Sequence, residues 1–150
     1  MSYNTWEIHG FGVRVDDIKT TPKRLLKLAA CKPKLLKKVR DYLNDGYTEE
    51  YKEEDLTMDD FNDLDGGSYC GRGVSYILYN VIPKDKLNVI YCDDYNGYQY
   101  ILYTPSFPWG LTEYERNLTE DTAREIFAKY IKILTDEPAT IGYYMVENGG

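Results

Sequence analysis

Eleven carboxylates fall within residues 41–65, DYLNDGYTEEYKEEDLTMDDFNDLD, against a single basic residue, Lys52, which leaves the segment at a net charge of −10. Residues 19–40, immediately before it, hold nine Lys or Arg and no Asp or Glu, a net charge of +9. Carboxylates at this density could hold a hard cation, neutralise the neighbouring bases, or present a negative field to a partner. The cation reading fails on spacing: if Gly66 takes the sixth position of a calcium loop, Phe61 falls at the first ligand position and Arg72 where a bidentate Glu belongs. No metal or other cofactor is therefore expected.

The structural reading is a solvated face, which is what most charge runs are. The functional reading is that Glu49, Glu50, Glu53, Glu54, Asp55, Asp59, Asp60 and Asp63 imitate the spaced charge of a nucleic-acid backbone and occupy a basic groove on another protein. Complementary fields of that kind speed association and make it salt-sensitive. Aromatic side chains anchor interfaces, and Tyr42, Tyr47, Tyr51 and Phe61 interleave with the acids. Trp109 is a further candidate anchor.

Covalent chemistry has thinner support. His9 is the only histidine, and with Cys31, Cys70 or Cys92 it could make a Cys-His hydrolase only if base and thiol met in space. Cys70, in SYCGRG at residues 68–73, is the most suggestive thiol. Gly71-Arg72-Gly73 lacks the remaining spacing of a dinucleotide loop, and no GxxxxGK[ST] phosphate loop occurs. An enzyme is not the expected reading.

Composition narrows the classes further. A chain of 150 residues, 43% hydrophobic and with sixteen Tyr, can bury enough surface to fold as one domain. Its net charge of −7 argues against direct nucleic-acid binding, whose affinity comes from Lys and Arg on phosphates. Residues 19–40 are expected to pair with the acidic segment, in the monomer or a homodimer, rather than with nucleic acid. Three widely spaced cysteines without a CxxC pair suggest neither disulfides nor zinc, and no window approaches a membrane span. A soluble cytoplasmic protein is expected.

The elements that position these residues read as an α+β domain. Residues 6–15 form a strand, with Gly10 and Gly12 marking a bulge or a close backbone approach. Thr21-Pro22 opens one helix and Pro33 a second, in which Leu35, Leu36, Val39, Tyr42 and Leu43 share a face. Residues 48–64 suit two short helices, the second capped by Thr57 with Asp60 three residues on, and Met58, Phe61 and Leu64 inward. Residues 74–82, 87–92 and 98–104 read as an antiparallel meander, with Asn96-Gly97 as a two-residue hairpin turn. Helices should cover one sheet face, and another element or a partner part of the second. Thr119 caps a last helix lined by Ile126, Phe127, Tyr130, Ile133 and Leu134, residues 140–146 form a last strand of a sheet of four to five, and residues 147–150 a loose tail.

Small size, acidity, abundant tyrosine and missing catalytic motifs resemble the small inhibitor proteins of phages and mobile elements, anti-CRISPR proteins in particular. The opening WEIHGFGVRVDDI is similar in character to such proteins. The resemblance implies a basic nucleic-acid-binding partner such as a CRISPR effector. Bacterial immunity proteins that neutralise a toxin are similar in the same general way.

Overall fold

The computed structural model describes residues 5–45, 52–61, 73–104 and 118–149. In chain order they form β1 (Thr5–Arg14), α1 (Pro22–Ala29), α2 (Pro33–Asp45), α3 (Gly73–Val81), β2 (Val89–Asp93), β3 (Gln99–Tyr103), α4 (Glu120–Leu134) and β4 (Ile141–Gly149), with short 3-10 turns between them. The four strands make one antiparallel sheet in the order β2-β3-β1-β4. This is the α+β domain that the sequence predicts.

Helix starts follow local chemistry. Thr21 Oγ1 accepts the Arg24 N–H (3.4 Å), and Thr119 Oγ1 accepts that of Thr122 (3.1 Å), each satisfying a donor the helix itself leaves open. Pro22 and Pro33 occupy the first helical positions, where a missing N–H costs nothing. Leu35, Val39 and Leu43 turn one face of α2 into the core, while Tyr42 stays outside.

Alternation along the strands divides the sheet. Phe11, Val13, Val89 and Ile101 join the helices in the main core, with Leu25, Leu28, Ile77, Phe127 and Leu134. Cys92, Tyr100, Leu102 and Val146 gather on the other face with Ile8, Ile90 and Tyr144 packed beside them. Helices therefore cover one face, as expected.

Three expectations are corrected. Residues 74–82 are not a strand: α3 occupies most of them, followed by a 3-10 turn at Ile82–Asp85. Gly73, Ser75, Tyr76, Ile77, Leu78 and Val81 are all buried and fall on several sides of the helix, so its apolar residues mark no single face by which helix and strand would differ. The meander is accordingly a single hairpin, β2-β3, completed by β1 and β4. Its turn is not a two-residue one. The Gly97 N–H donates to the Asp94 carbonyl (3.0 Å) and the Asp94 N–H to that of Tyr98 (3.0 Å), so Tyr95, Asn96 and Gly97 form the loop, and only Gly97 has positive φ (80°). The Asp94 carboxylate fixes this geometry by accepting N–H groups from Asn96 (2.8 Å) and Tyr98 (3.0 Å). Finally, residues 147–149 are no tail, because β4 continues through them against Glu7, Trp6 and Thr5.

The two glycines of β1 mark close approach rather than a bulge, since the register on both sides runs without a slip. A Cβ on Gly12 would run into the Ile101 carbonyl oxygen and lie 3.0 Å from both Leu102 Cα and Phe127 Cζ. Backbone cannot yield as a flexible side chain can. Gly12→Ala should lower stability by about 1–3 kcal/mol, whereas Gly142→Ala, with open space around its Cβ, should change it by less than about 1 kcal/mol. Urea denaturation of the two variants checks this, and equal midpoints would contradict the packing described.

Candidate functional site: the acidic segment

Between α2 and α3 the chain passes through two 3-10 turns, Glu53–Asp55 and Met58–Phe61. The first is closed by the Asp55 N–H donating to the Lys52 carbonyl (3.0 Å), the second by that of Asp60 donating to the Thr57 carbonyl (3.2 Å). The reciprocal cap expected between Thr57 and Asp60 is half present: the Thr57 N–H donates to Asp60 Oδ2 (2.8 Å), and its hydroxyl lies 3.3 Å from the same oxygen. Asp60 therefore serves the turn, and is half-buried in doing so.

Two apolar side chains pin this segment. Leu56 is 8% exposed and Phe61 fully buried, both within the main core. Phe61 sits against the first residue of α3 so closely that a Cβ on Gly73 would collide with the Phe61 Cβ and lie 2.9 Å from its carbonyl oxygen. Phe61 is thus a core residue and not a partner-facing aromatic. With the anchors inside, Glu54, Asp55 and Asp59 are left exposed, where their charges keep their hydration and escape the desolvation penalty that burial of an ion carries.

Of the other predicted site residues, the structure describes Glu53 as part of the first turn. Tyr47, Glu49, Glu50, Tyr51, Asp63 and Trp109 lie outside the described residues, as do Leu64 and Cys70.

Among the described residues, the pairing of the basic segment with the acidic one expected within the monomer is not seen at most of its bases. Among the described residues, Arg24 bonds Asp136 (2.7 Å), Lys32 donates to the Asn80 carbonyl (3.0 Å), and Lys23, Lys27, Lys34, Lys37 and Arg40 make no ion pair. Glu54 and Asp55 make none either. Other carboxylates are paired within the fold: Asp17 grips Arg14 (2.8 Å), and Asp85 accepts from Lys129 (3.0 Å) and from the Tyr130 hydroxyl (2.9 Å). At Asp85 burial works against ionisation, but the Lys129 and Tyr130 hydrogen bonds outweigh it and hold the carboxyl below its ordinary range. Charge that serves the fold is paired; the charge at Glu54 and Asp55 is not.

A thiol-imidazole pair finds no geometry at Cys92. His9 lies on the same side of the sheet as Val13, whereas Cys92 shares the opposite side with Tyr100, and β3 separates their strands. His9 is exposed and near Glu7 (3.5 Å). Cys31 sits in the turn between α1 and α2, where its carbonyl accepts from Lys84 (2.8 Å). Burial, reinforced by Asp93 and Asp94, pushes the Cys92 thiol up to about 11. It is a packed side chain, not an activated nucleophile. Among the described residues no group of three or more His, Cys, Asp or Glu is placed to hold a metal, and no helix is long and apolar enough to cross a membrane.

Native protein at pH 8 should therefore leave Cys92 unmodified by a chromogenic disulfide reagent, with release of its signal only after denaturation. Comparison with Cys92→Ser identifies the thiol concerned, and rapid labelling of native Cys92 would contradict its burial.

No protein-family model matches the chain, and neither the curated proteins nor the solved structures contain one significantly similar to it.

Proposed function

We propose that this chain is a protein-binding inhibitor that uses its acidic segment to occupy the basic groove of a nucleic-acid-handling protein, a CRISPR effector being the partner its general character suggests. The observation that carries this reading is the placement of Glu54, Asp55 and Asp59, exposed on turns whose Leu56 and Phe61 are locked into the core. A negative surface held by buried anchors loses little freedom when it meets a partner, so more of its attraction appears as affinity. Opposite charge also steers the encounter, giving fast association that weakens as salt rises.

Asp60 has a second duty, as the acceptor that closes the turn, and belongs to the supporting structure of the surface. The informative replacements are therefore Glu54→Gln, Asp55→Asn and Asp59→Asn together. Against a basic nucleic-acid-binding protein recovered with the chain, the parent should compete with that protein's nucleic acid. The triple variant should compete about tenfold or more less well, with a flatter dependence on salt. Undiminished competition by the triple variant would overturn the proposal.

A further inference from the structure

The basic half of the charge reversal has a geometry of its own. Helices α1 and α2 meet at a tight turn, Ala30 to Lys32, and leave between them an open groove of about 490 Å3. Leu36, half-buried, supplies its apolar surface above the buried Leu26, while Lys23, Lys27 and Arg40 line it with cationic side chains. Helical spacing explains the convergence: Lys23 and Lys27 are one turn apart on α1, as are Leu36 and Arg40 on α2. No carboxylate lines the groove among the described residues. Among the described residues the three cations, all exposed, make no ion pair, and the fourth, Arg24, is held by Asp136.

An occupant of this groove must satisfy both parts of it. Carboxylates would meet Arg40 in its planar, two-toothed geometry and the lysines as point charges. A phosphodiester backbone would meet the same cations, but it offers little to an apolar surface. A long polyanion would also face the acids that follow at once, beginning with Asp41 on α2 itself, in a chain of net charge −7. A short peptide carrying both acids and an apolar side chain has neither difficulty. A second copy of this chain cannot supply one from residues 52–61, because Leu56 and Phe61 are buried in its own core.

We infer that the α1–α2 groove is a docking site for a short acidic amphipathic segment of a partner protein, whose carboxylates rest on Lys23, Lys27 and Arg40 and whose apolar side chain rests on Leu36. This surface is separate from the acidic one, and its use does not depend on it.

A labelled synthetic peptide, KEEDLTMDDF, is a suitable probe, because outside the fold it presents acids and apolar side chains together. Fluorescence anisotropy with the full chain at low salt should show saturable binding. The double variant Lys27→Gln with Arg40→Gln, its melting temperature matched to the parent's, should bind about tenfold or more weakly. A control peptide with serine for its Leu, Met and Phe should lose affinity to a similar degree. The triple variant of the acidic segment should bind the probe as the parent does, which separates this outcome from the fate of the proposed inhibitor function. Absence of peptide binding, equal binding by the double variant, or equal binding of the serine control would overturn the assignment. So would tighter binding of a short DNA duplex that displaces the peptide, or sedimentation showing dimers that the double variant dissolves.

Discussion

The burial of Leu56 and Phe61 is the constraint on which the surface of this molecule depends. Full burial of an aromatic side chain is favourable by about 1.5–3 kcal/mol, and burial of unpaired carboxylates is costly by a comparable or larger amount. A segment that alternates such residues has one low-energy orientation, with its anchors inside and its acids out. The 3-10 turns make that orientation reachable over a short span, and the Thr57–Asp60 bond holds the second of them. Gly73 completes the arrangement by leaving room for Phe61 at the start of α3.

The remaining charges divide by the same logic. Where a carboxylate has a structural duty it is met by a specific donor: Asp94 organises the β2-β3 loop, Asp16 accepts the Gln99 N–H (2.6 Å), and Asp85 ties Lys129 and the Tyr130 hydroxyl together beside the core. Among the described residues, Lys23, Lys27 and Arg40 on one side, and Glu54 and Asp55 on the other, meet no such donor or acceptor. The two groups of charge are of opposite sign and both exposed.

Much of this was legible in the sequence where local chemistry decides conformation. Thr21-Pro22, Pro33 and Thr119 start helices because a side-chain acceptor or an imino acid suits those positions whatever the rest of the chain does. Residues 73–81 were illegible because their context decides: Tyr, Ile and Val favour strands on average, yet a helix buried on several sides shows no polar stripe to mark it. The Asn96-Gly97 pair located the hairpin but not its loop length, which the Asp94 side chain sets. The extent of β4 could not be read either, since residues 147–149 are strand only because β1 begins early enough to pair with them. At the acidic segment, the sequence located the charge, and the depth of Phe61 in the core supplies what it could not, namely which way the charge points.

Equilibrium denaturation of Phe61→Ala tests this orientation most directly. Removal of a fully buried ring should lower the free energy of unfolding by about 3–5 kcal/mol, because the segment and α3 share that side chain. A loss under about 0.5 kcal/mol, the range of ordinary surface replacements, would mean that Phe61 does not anchor the segment, and would contradict the account.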